Sequence, residues 1–448
     1  MNSRQALINF LLTITSSNIL KNLEFVKKLQ FKEKKYLMKL QEDGLKKIII
    51  HAYERVPYYN KLLKEFNVIK NGTLHLENFS KLPLLTKDKI RKEGKNLYSH
   101  DRFNRGFYRN FTSGSTGEPI SFIQDKYYLD WNIANKLFYL EMAGKCLGEK
   151  EIKLWASERD LQEGTKGIKN RIINFLYNRR VLDCLEMTEK DMERYTELIN
   201  HWRPRIIWSY ANAVFELAKY ADNHFSHIHP PSSIISCATT LYPNMREEIE
   251  RIFKTKVYNQ YGGREVGDIA CECKYNKMHI FDHTHFVEIV DKNCNLIKDE
   301  IGHIIVTSLT NYSMPFLRYK IEDMGQIGNY TCECSREFNF FKEFVGRDIE
   351  TFYKRNGEIV FVGCYLNILF DKIYIKKFQL IQEDYDLVYV KLVLNKNEPD
   401  LENKLVNIRK DIQEFMGKDC RVEFEVLDEL NTRLPSGKNI IVISKVQK

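Results

Sequence analysis

No apolar run in the chain approaches the roughly 20 residues a membrane helix needs, so no integral membrane segment is expected. The opening stretch Met1–Leu12 has only a short apolar run. A polar, lysine-rich segment without an evident cleavage site follows it, so no secretory signal is expected and a soluble, cytoplasmic protein is. Charge of one sign does not dominate: 69 Lys and Arg stand against 60 Asp and Glu, a net +9. Such a mixture describes a solvated surface that favours anionic ligands, and without a recognition motif it gives no ground for a nucleic-acid partner. Internal repeats and low-complexity segments are absent, which excludes a solenoid or a linker-rich chain. Ten cysteines in 448 residues, with no sign of secretion, point to reduced thiols that are buried or bind metal. What is present is 43% hydrophobic and 12% aromatic residues, enough for two or three domains.

The chain divides by pattern. Leu37, Leu40, Leu45, Ile48, Ile49 and Ala52 have helical spacing, Pro57 is expected to break that helix, and Lys81–Leu85 reads as an extended crossing. Between 125 and 260, helical stretches (Tyr195–Ile199, Val214–Tyr220, Met245–Phe253) alternate with short apolar runs (Ile206–Trp208, Ile234–Ser236). This predicts an α/β sheet. Phe286–Val290 and His303–Thr307 are expected to be strands. After Val345-Gly346-Arg347-Asp348 the pattern becomes a small α+β unit, with strands near 359–363, 387–394 and 421–427 and a helix over 399–416. The expected division is a large unit, 1–345, and a small one, 346–448.

Residues 111–121 read Phe-Thr-Ser-Gly-Ser-Thr-Gly-Glu-Pro-Ile-Ser. Hydroxyls and backbone N–H groups of Thr112, Ser113, Ser115 and Thr116 suit phosphate oxygens, and Gly114 and Gly117 allow a close backbone approach. No Gly-Lys-Ser/Thr follows, so this is not a Walker loop; read alone, the run is also an ordinary turn. Tyr258–Glu265 (Tyr-Asn-Gln-Tyr-Gly-Gly-Arg-Glu) puts an aromatic ring, a flexible backbone and a carboxylate at the end of an apolar strand, where α/β sheets bind ligands. Glu265 there could hold Mg²⁺, or be a solvated turn residue. Pro315–Asp323 carries a carboxylate able to accept two ribose hydroxyls. Gly346-Arg347-Asp348 follows, and Leu434-Pro435-Ser436-Gly437-Lys438 presents a lysine on a loop; each is commonplace by itself.

In this order the segments resemble those of the adenylate-forming enzymes, and in particular the phenylacetate-CoA ligase family with its capsular-polysaccharide, CapK-like branch. Ala52–Tyr59 and Leu82–Lys87 extend the likeness toward the N-terminus, so that it covers most of the chain. The resemblance implies a large multi-sheet α/β domain with a small mobile α+β lid. It also implies a two-step reaction: a carboxylate attacks the α-phosphate of ATP, and an acceptor then displaces AMP. By the same likeness Thr112–Gly117 would hold the pyrophosphate end, Cys237-Ala238-Thr239 would pass the adenine, and Tyr261 with Gly262 would lie by the adenine or α-phosphate. Glu265 would bind Mg²⁺, Asp323 and Arg347 would grip the ribose, and Lys438 would serve adenylation.

There are departures from the family's pattern. The phosphate loop lacks a lysine, Thr239 stands where many relatives have Glu, and Glu350 replaces the usual hinge Asp. The first two would bear on substrate contacts rather than on adenylation. Cys271-Glu272-Cys273, His279 and Cys332-Glu333-Cys334 offer five candidates for four tetrahedral places, with His283 and His285 as alternates. Some members of this family carry a structural zinc in this region, and the expected ligands here are Cys273, His279, Cys332 and Cys334.

The substrate would be a small carboxylic acid. The acceptor would be an amine or hydroxyl of a sugar in surface polysaccharide biosynthesis, or else the thiol of coenzyme A, which would then be a further cofactor. A non-catalytic nucleotide-binding relative is the competing class, against which Glu265, Asp323 and Lys438 weigh. The sequence does not specify an oligomeric state.

Overall fold

The computed structural model describes residues 3–15, 17–112, 120–155, 168–184, 187–328, 331–347, 351–356, 358–362, 369, 372, 374–394, 400–430 and 441–446. Helices α1 (Ser3–Ile14), α2 (Ile19–Leu29), α3 (Lys34–Arg55), α4 (Pro57–Glu65) and α5 (Lys87–Glu93) come first. α3 stops at Arg55 and Val56 is extended, so the helix breaks before Pro57 as expected. Pro57 then occupies the first turn of α4, where its missing N–H costs no bond.

A hairpin of β1 (Tyr108–Phe111) and β2 (Ser121–Gln124) precedes α6 (Lys126–Met142). Asp125 caps α6 by accepting from the Tyr128 N–H at 2.9 Å. Its other oxygen accepts from the N–H groups of Tyr312 and Ser313, at 3.0 and 2.9 Å, so one buried carboxylate ties the helix to a distant loop.

An α/β alternation follows: β3 (Glu151–Trp155), α7 (Ile168–Leu176), β4 (Arg179–Asp183), α8 (Glu189–Trp202), β5 (Ile206–Tyr210), α9 (Ala211–His224), β6 (Ser233–Cys237), α10 (Pro243–Phe253) and β7 (Val257–Gly263). Strands β5 and β6 are buried along their whole length, as expected of parallel strands covered on both faces. Six strands then run on without an intervening α-helix: β8 (Gly267–Glu272), β9 (Met278–Ile280), β10 (His285–Val290), β11 (Gly302–Ser308), β12 (Tyr319–Ile327) and β13 (Phe340–Arg347).

Together these strands form one eleven-stranded sheet, ordered β10-β11-β12-β13-β9-β8-β7-β6-β5-β3-β4. The β7-β6-β5-β3-β4 half is parallel and the rest antiparallel. Leu85, in the segment expected to be an extended crossing, forms a parallel bridge with Tyr319.

The large sheet ends on Arg347, and a two-stranded ribbon, β14 (Thr351–Tyr353) and β15 (Ile359–Phe361), follows. A separate four-stranded sheet combines β16 (Ile375–Asp384), β17 (Leu387–Leu394), β18 (Arg421–Val426) and β19 (Val442–Ser444) in the order β18-β17-β16-β19. Helix α11 (Leu401–Met416) buries Ile408, Ile412, Phe415 and Met416, a stripe of helical spacing. The expected α/β and α+β elements are therefore present, most with boundaries within two residues, while α8 and α9 extend three to six residues beyond the stretches expected.

Candidate active site

The expected site residues among those described gather where β7, β12 and β13 meet the β1–β2 hairpin. Thr112 closes the base of the phosphate loop: its N–H donates to the Ile120 carbonyl, and its Oγ1 accepts from the Ile120 N–H, both at 3.0 Å. Ser113, Gly114, Ser115, Thr116 and Gly117 lie outside the described residues, as does Lys438. From β2, Gln124 donates Nε2 to the carbonyls of Arg264 and Glu265, at 2.7 and 3.3 Å, and accepts from Asn110 Nδ2 at 3.1 Å. The root of the loop is thereby bonded to the turn that carries Glu265.

Two tyrosines set the carboxylates. The buried Tyr261 donates its hydroxyl to Asp323 Oδ2 at 2.8 Å, and the buried Tyr319 donates to Glu265 Oε1 at 3.0 Å. Burial, with the adjacent carboxylate, pushes both phenols well above their usual range, so both remain donors at any physiological pH. Sequence reasoning missed Tyr319 and Gln124. Tyr319 stood inside the quoted Pro315–Asp323 segment, and period-2 alternation puts it on the same side of β12 as Asp323, which was the available signal.

The backbone around these residues is constrained. Arg318 and Glu322, which flank Tyr319 and Asp323, adopt φ of 50° and 72°, in the region L-residues rarely occupy. Arg318 is held there by a buried ion pair with Glu288 at 3.2 Å, and Glu322 by a bond to Lys87. At Gly262 an added Cβ would lie 2.4 Å from the Gly267 carbonyl oxygen, so the β7–β8 turn admits only glycine. Arg347 pairs with Asp323 across β13 and β12, which puts the two expected ribose contacts on adjacent strands.

Cys237-Ala238-Thr239 leaves the end of β6. Ala238 has φ of 64°, a strained conformation at a strand end of the kind found at ligand sites. Burial pushes the Cys237 thiol up to about 12, so it is inert. Thr239, expected to bear on substrate, uses its hydroxyl on the start of α9, accepting from the Ala211 N–H at 3.0 Å and facing Asn212 Oδ1 at 3.3 Å. A threonine here serves as a helix cap where a glutamate would reach outward.

The four expected zinc ligands converge. One donor atom from each of Cys273, His279, Cys332 and Cys334 lies within 4.8 Å of the others. His279 turns Nε2 to Cys334 Sγ at 3.2 Å, and its Nδ1 is 3.3 Å from the Phe338 carbonyl, which fixes the tautomer. Burial lowers the imidazole to about 4, so it is neutral and able to ligate. Cys271 packs in the main core, apart from the small cluster of Cys273, Cys332, Cys334 and Phe340. The alternates His283 and His285 are engaged elsewhere, with Asn135 Oδ1 at 2.9 Å and the Val266 carbonyl at 2.8 Å. Three thiols and one imidazole form a soft set of four donors, the number and chemistry that fit a structural zinc.

Comparison with known proteins agrees with this fold. A family model for the CapK C-terminal domain matches residues 352–445. Protein CapK of Staphylococcus aureus is 24% identical over 92% of this chain and 90% of its own length. The phenylacetate-coenzyme A ligase of Thermus thermophilus is 23% identical over 69% of this chain and 70% of its own. Among solved structures, a 2-hydroxyisobutyryl-CoA ligase with a bound acyl-AMP superposes with a TM-score of 0.71 at 17% identity, covering 91% of this chain and 88% of that one. The fold is that of the adenylate-forming ligases. Over most of its length the chain is similar to Protein CapK, and over about two thirds of it to phenylacetate-coenzyme A ligases.

Proposed function

We propose that this protein activates a small carboxylic acid with ATP and passes the acyl group to an amine or hydroxyl of a sugar in surface polysaccharide biosynthesis. One observation carries the reading: Glu265 and Asp323 are oriented by Tyr319 and Tyr261 on one side of the site, bonded through Gln124 to the root of the phosphate loop. In the first step a carboxylate oxygen attacks the α-phosphorus, the bond to the β-phosphate oxygen breaks, and pyrophosphate leaves. In the second, the acceptor nitrogen or oxygen attacks the acyl carbon, AMP leaves, and the acceptor's proton passes to solvent. Such chemistry depends on positioning and on charge stabilisation more than on acid–base groups.

Glu265 would hold Mg²⁺, which supplies charge neutralisation on the phosphates. One of its oxygens is fixed by Tyr319 and the other faces Gly263, whose missing Cβ would come within 3.1 Å. Asp323 would accept the ribose hydroxyls, with Arg347 on the neighbouring strand. The loop of Ser113–Gly117 would take the pyrophosphate end, Tyr261, Gly262 and Cys237–Thr239 the purine side. Residues 346–448 would form a mobile lid delivering Lys438 to the α-phosphate. Zinc on Cys273, His279, Cys332 and Cys334 would staple the β8–β9 turn to the segment entering β13, in a cytoplasmic protein.

For the acceptor, the sugar reading draws on the likeness to CapK, which spans 92% of the chain, whereas the likeness to the Thermus CoA ligase spans 69%. A CoA thiol is the alternative. Supplying the acyl-adenylate made in situ to a nucleotide-linked amino sugar or to CoA, and weighing the products, separates the two. Acylated sugar supports the first reading, and thioester formed in preference overturns it.

A further inference from the structure

Beneath α6, the parallel strands β3, β5, β6 and β7 direct one set of side chains to a single face. The register aligns Lys153 with Trp208 and Tyr210 with Cys237, and alternation adds Trp155 and Gln260 to that face. Lys153 Nζ lies 3.6 Å from the Trp155 ring centre and 4.9 Å from that of Trp208. From α6, Lys136 Nζ lies 5.5 Å from the Trp208 ring and 3.7 Å from Asp268 Oδ2, and Gln260 Nε2 donates to Asp268 Oδ1 at 2.7 Å. The Tyr139 hydroxyl and the Trp208 indole N–H, each 3% exposed, have no hydrogen-bond partner.

The charges of this region do not balance. Glu151 is buried between Lys145 at 2.8 Å and Arg179 at 2.6 Å, and Asp268 faces Lys136. Lys153 makes no ion pair among the described residues: aromatic faces stand against its ammonium, and Glu151 and Asp268 act on it only at longer range. Among the described residues, four cations thus share two carboxylates. Lys153 is half-buried, and removing even part of a cation from water without a close counter-charge is costly. So is leaving the buried Tyr139 hydroxyl, Trp208 indole N–H and Asp268 Oδ2 without a hydrogen bond. Burial, with Arg179 and Lys136 nearby, brings the Lys153 ammonium down to about 7. A purely structural core would carry a third carboxylate here or apolar residues in place of the lysine. The cluster lies at the C-terminal ends of parallel strands, where α/β sheets place ligands, directly against Cys237 at the start of the segment expected to pass the adenine.

We propose that this pocket receives the far end of the acid substrate and that this end bears a second anionic group, so that the protein activates dicarboxylic rather than simple monocarboxylic acids, with Lys153 as the specificity-determining residue. The inference rests on the adenylation reading above. Lys153 supplies the counter-charge, Lys136 the flanking charge, and Tyr139 and Trp208 the two unmade donors. Trp155 and Tyr210, with ring centres 5.0 Å apart, present the aromatic surface along which a short carbon chain between two carboxylates would lie.

The test compares succinate and glutarate with butyrate and valerate in acyl-hydroxamate trapping by the full chain with ATP and Mg²⁺, in wild type and Lys153→Met. The expected result is a diacid preference of at least about tenfold in kcat/KM for wild type, lost in the variant chiefly through a higher KM. A monoacid preference in wild type, or a diacid preference that survives Lys153→Met, overturns it. If no acid is trapped, the adenylation reading fails. The pocket is then judged by binding alone, because Trp155 and Trp208 flank Lys153. Quenching of tryptophan fluorescence by glutarate in wild type and not in Lys153→Met sustains the anion site, and no response in wild type overturns it.

Discussion

Tyr319 donates its hydroxyl to the Glu265 carboxylate across 3.0 Å, from strand β12 to the turn after β7. This bond aims the expected Mg²⁺ ligand. Outer-shell partners of a metal ligand typically contribute 10–100-fold to affinity or activity. Tyr319→Phe should therefore raise the Mg²⁺ concentration that half-saturates pyrophosphate exchange by about tenfold, with the KM for the acid little changed. An unaltered Mg²⁺ dependence would remove Glu265 from that role.

Lys438→Ala should depress acyl-adenylate formation by on the order of a hundredfold or more, the usual effect of losing a transition-state charge contact. The fold should be unaffected, and acyl-AMP supplied ready-made should still be consumed, because only the first half-reaction needs the lysine. Pyrophosphate exchange at the wild-type rate in this variant would assign the charge to another residue.

Protein purified without added metal should contain about one zinc per chain, the stoichiometry of one closed tetrahedral site. Cys273 and Cys332 lie 59 residues apart in sequence, so a metal joining them limits the unfolded chain. Removing zinc with a chelator, or Cys334→Ser, should lower Tm by more than it lowers the rate of adenylation at a temperature where the protein stays folded. Metal analysis near zero, or full retention of zinc by Cys334→Ser, would refute this ligand set.

Much of the frame was legible in the sequence. The alternation from 189 to 263 yields three of the five parallel strands, β5, β6 and β7, because they are short apolar runs between amphipathic helices. The cluster of Cys273, His279, Cys332 and Cys334 was legible as soft donors at close spacing. The tyrosine–carboxylate pairs were not, because Tyr261 and Asp323 lie 62 residues apart and meet only through the β7, β12 and β13 arrangement. The cluster around Lys153 was equally hidden. A lysine between apolar residues in Glu151–Trp155 reads as a solvated strand position, and only the register beneath α6 shows it among two tryptophans. The break before Pro57 was legible, and what the sequence reading left out is that the same proline opens the next helix.

Lys153 also has a signature in stability. Its ammonium is lowered to about 7 from an ordinary 10.5, so between these values the unfolded chain binds more protons than the folded one. This group's contribution to stability therefore rises with pH across that window and is least favourable below it. Lys153→Met should raise Tm at pH 6, and the gain should shrink as the pH approaches 10.5, the pattern of a residue kept for binding at a cost in stability. A destabilised variant, or a gain independent of pH between 6 and 10, would show that Lys153 is accommodated without a ligand.

The central claim is tested most directly by exchange of labelled pyrophosphate into ATP, with a panel of small mono- and dicarboxylic acids and the full-length protein. The account predicts exchange that requires both Mg²⁺ and an acid, needs neither CoA nor a sugar acceptor, and disappears in Lys438→Ala. Exchange with no acid in the panel, from protein shown by calorimetry to bind ATP, would contradict acid activation and leave a nucleotide-binding relative in its place.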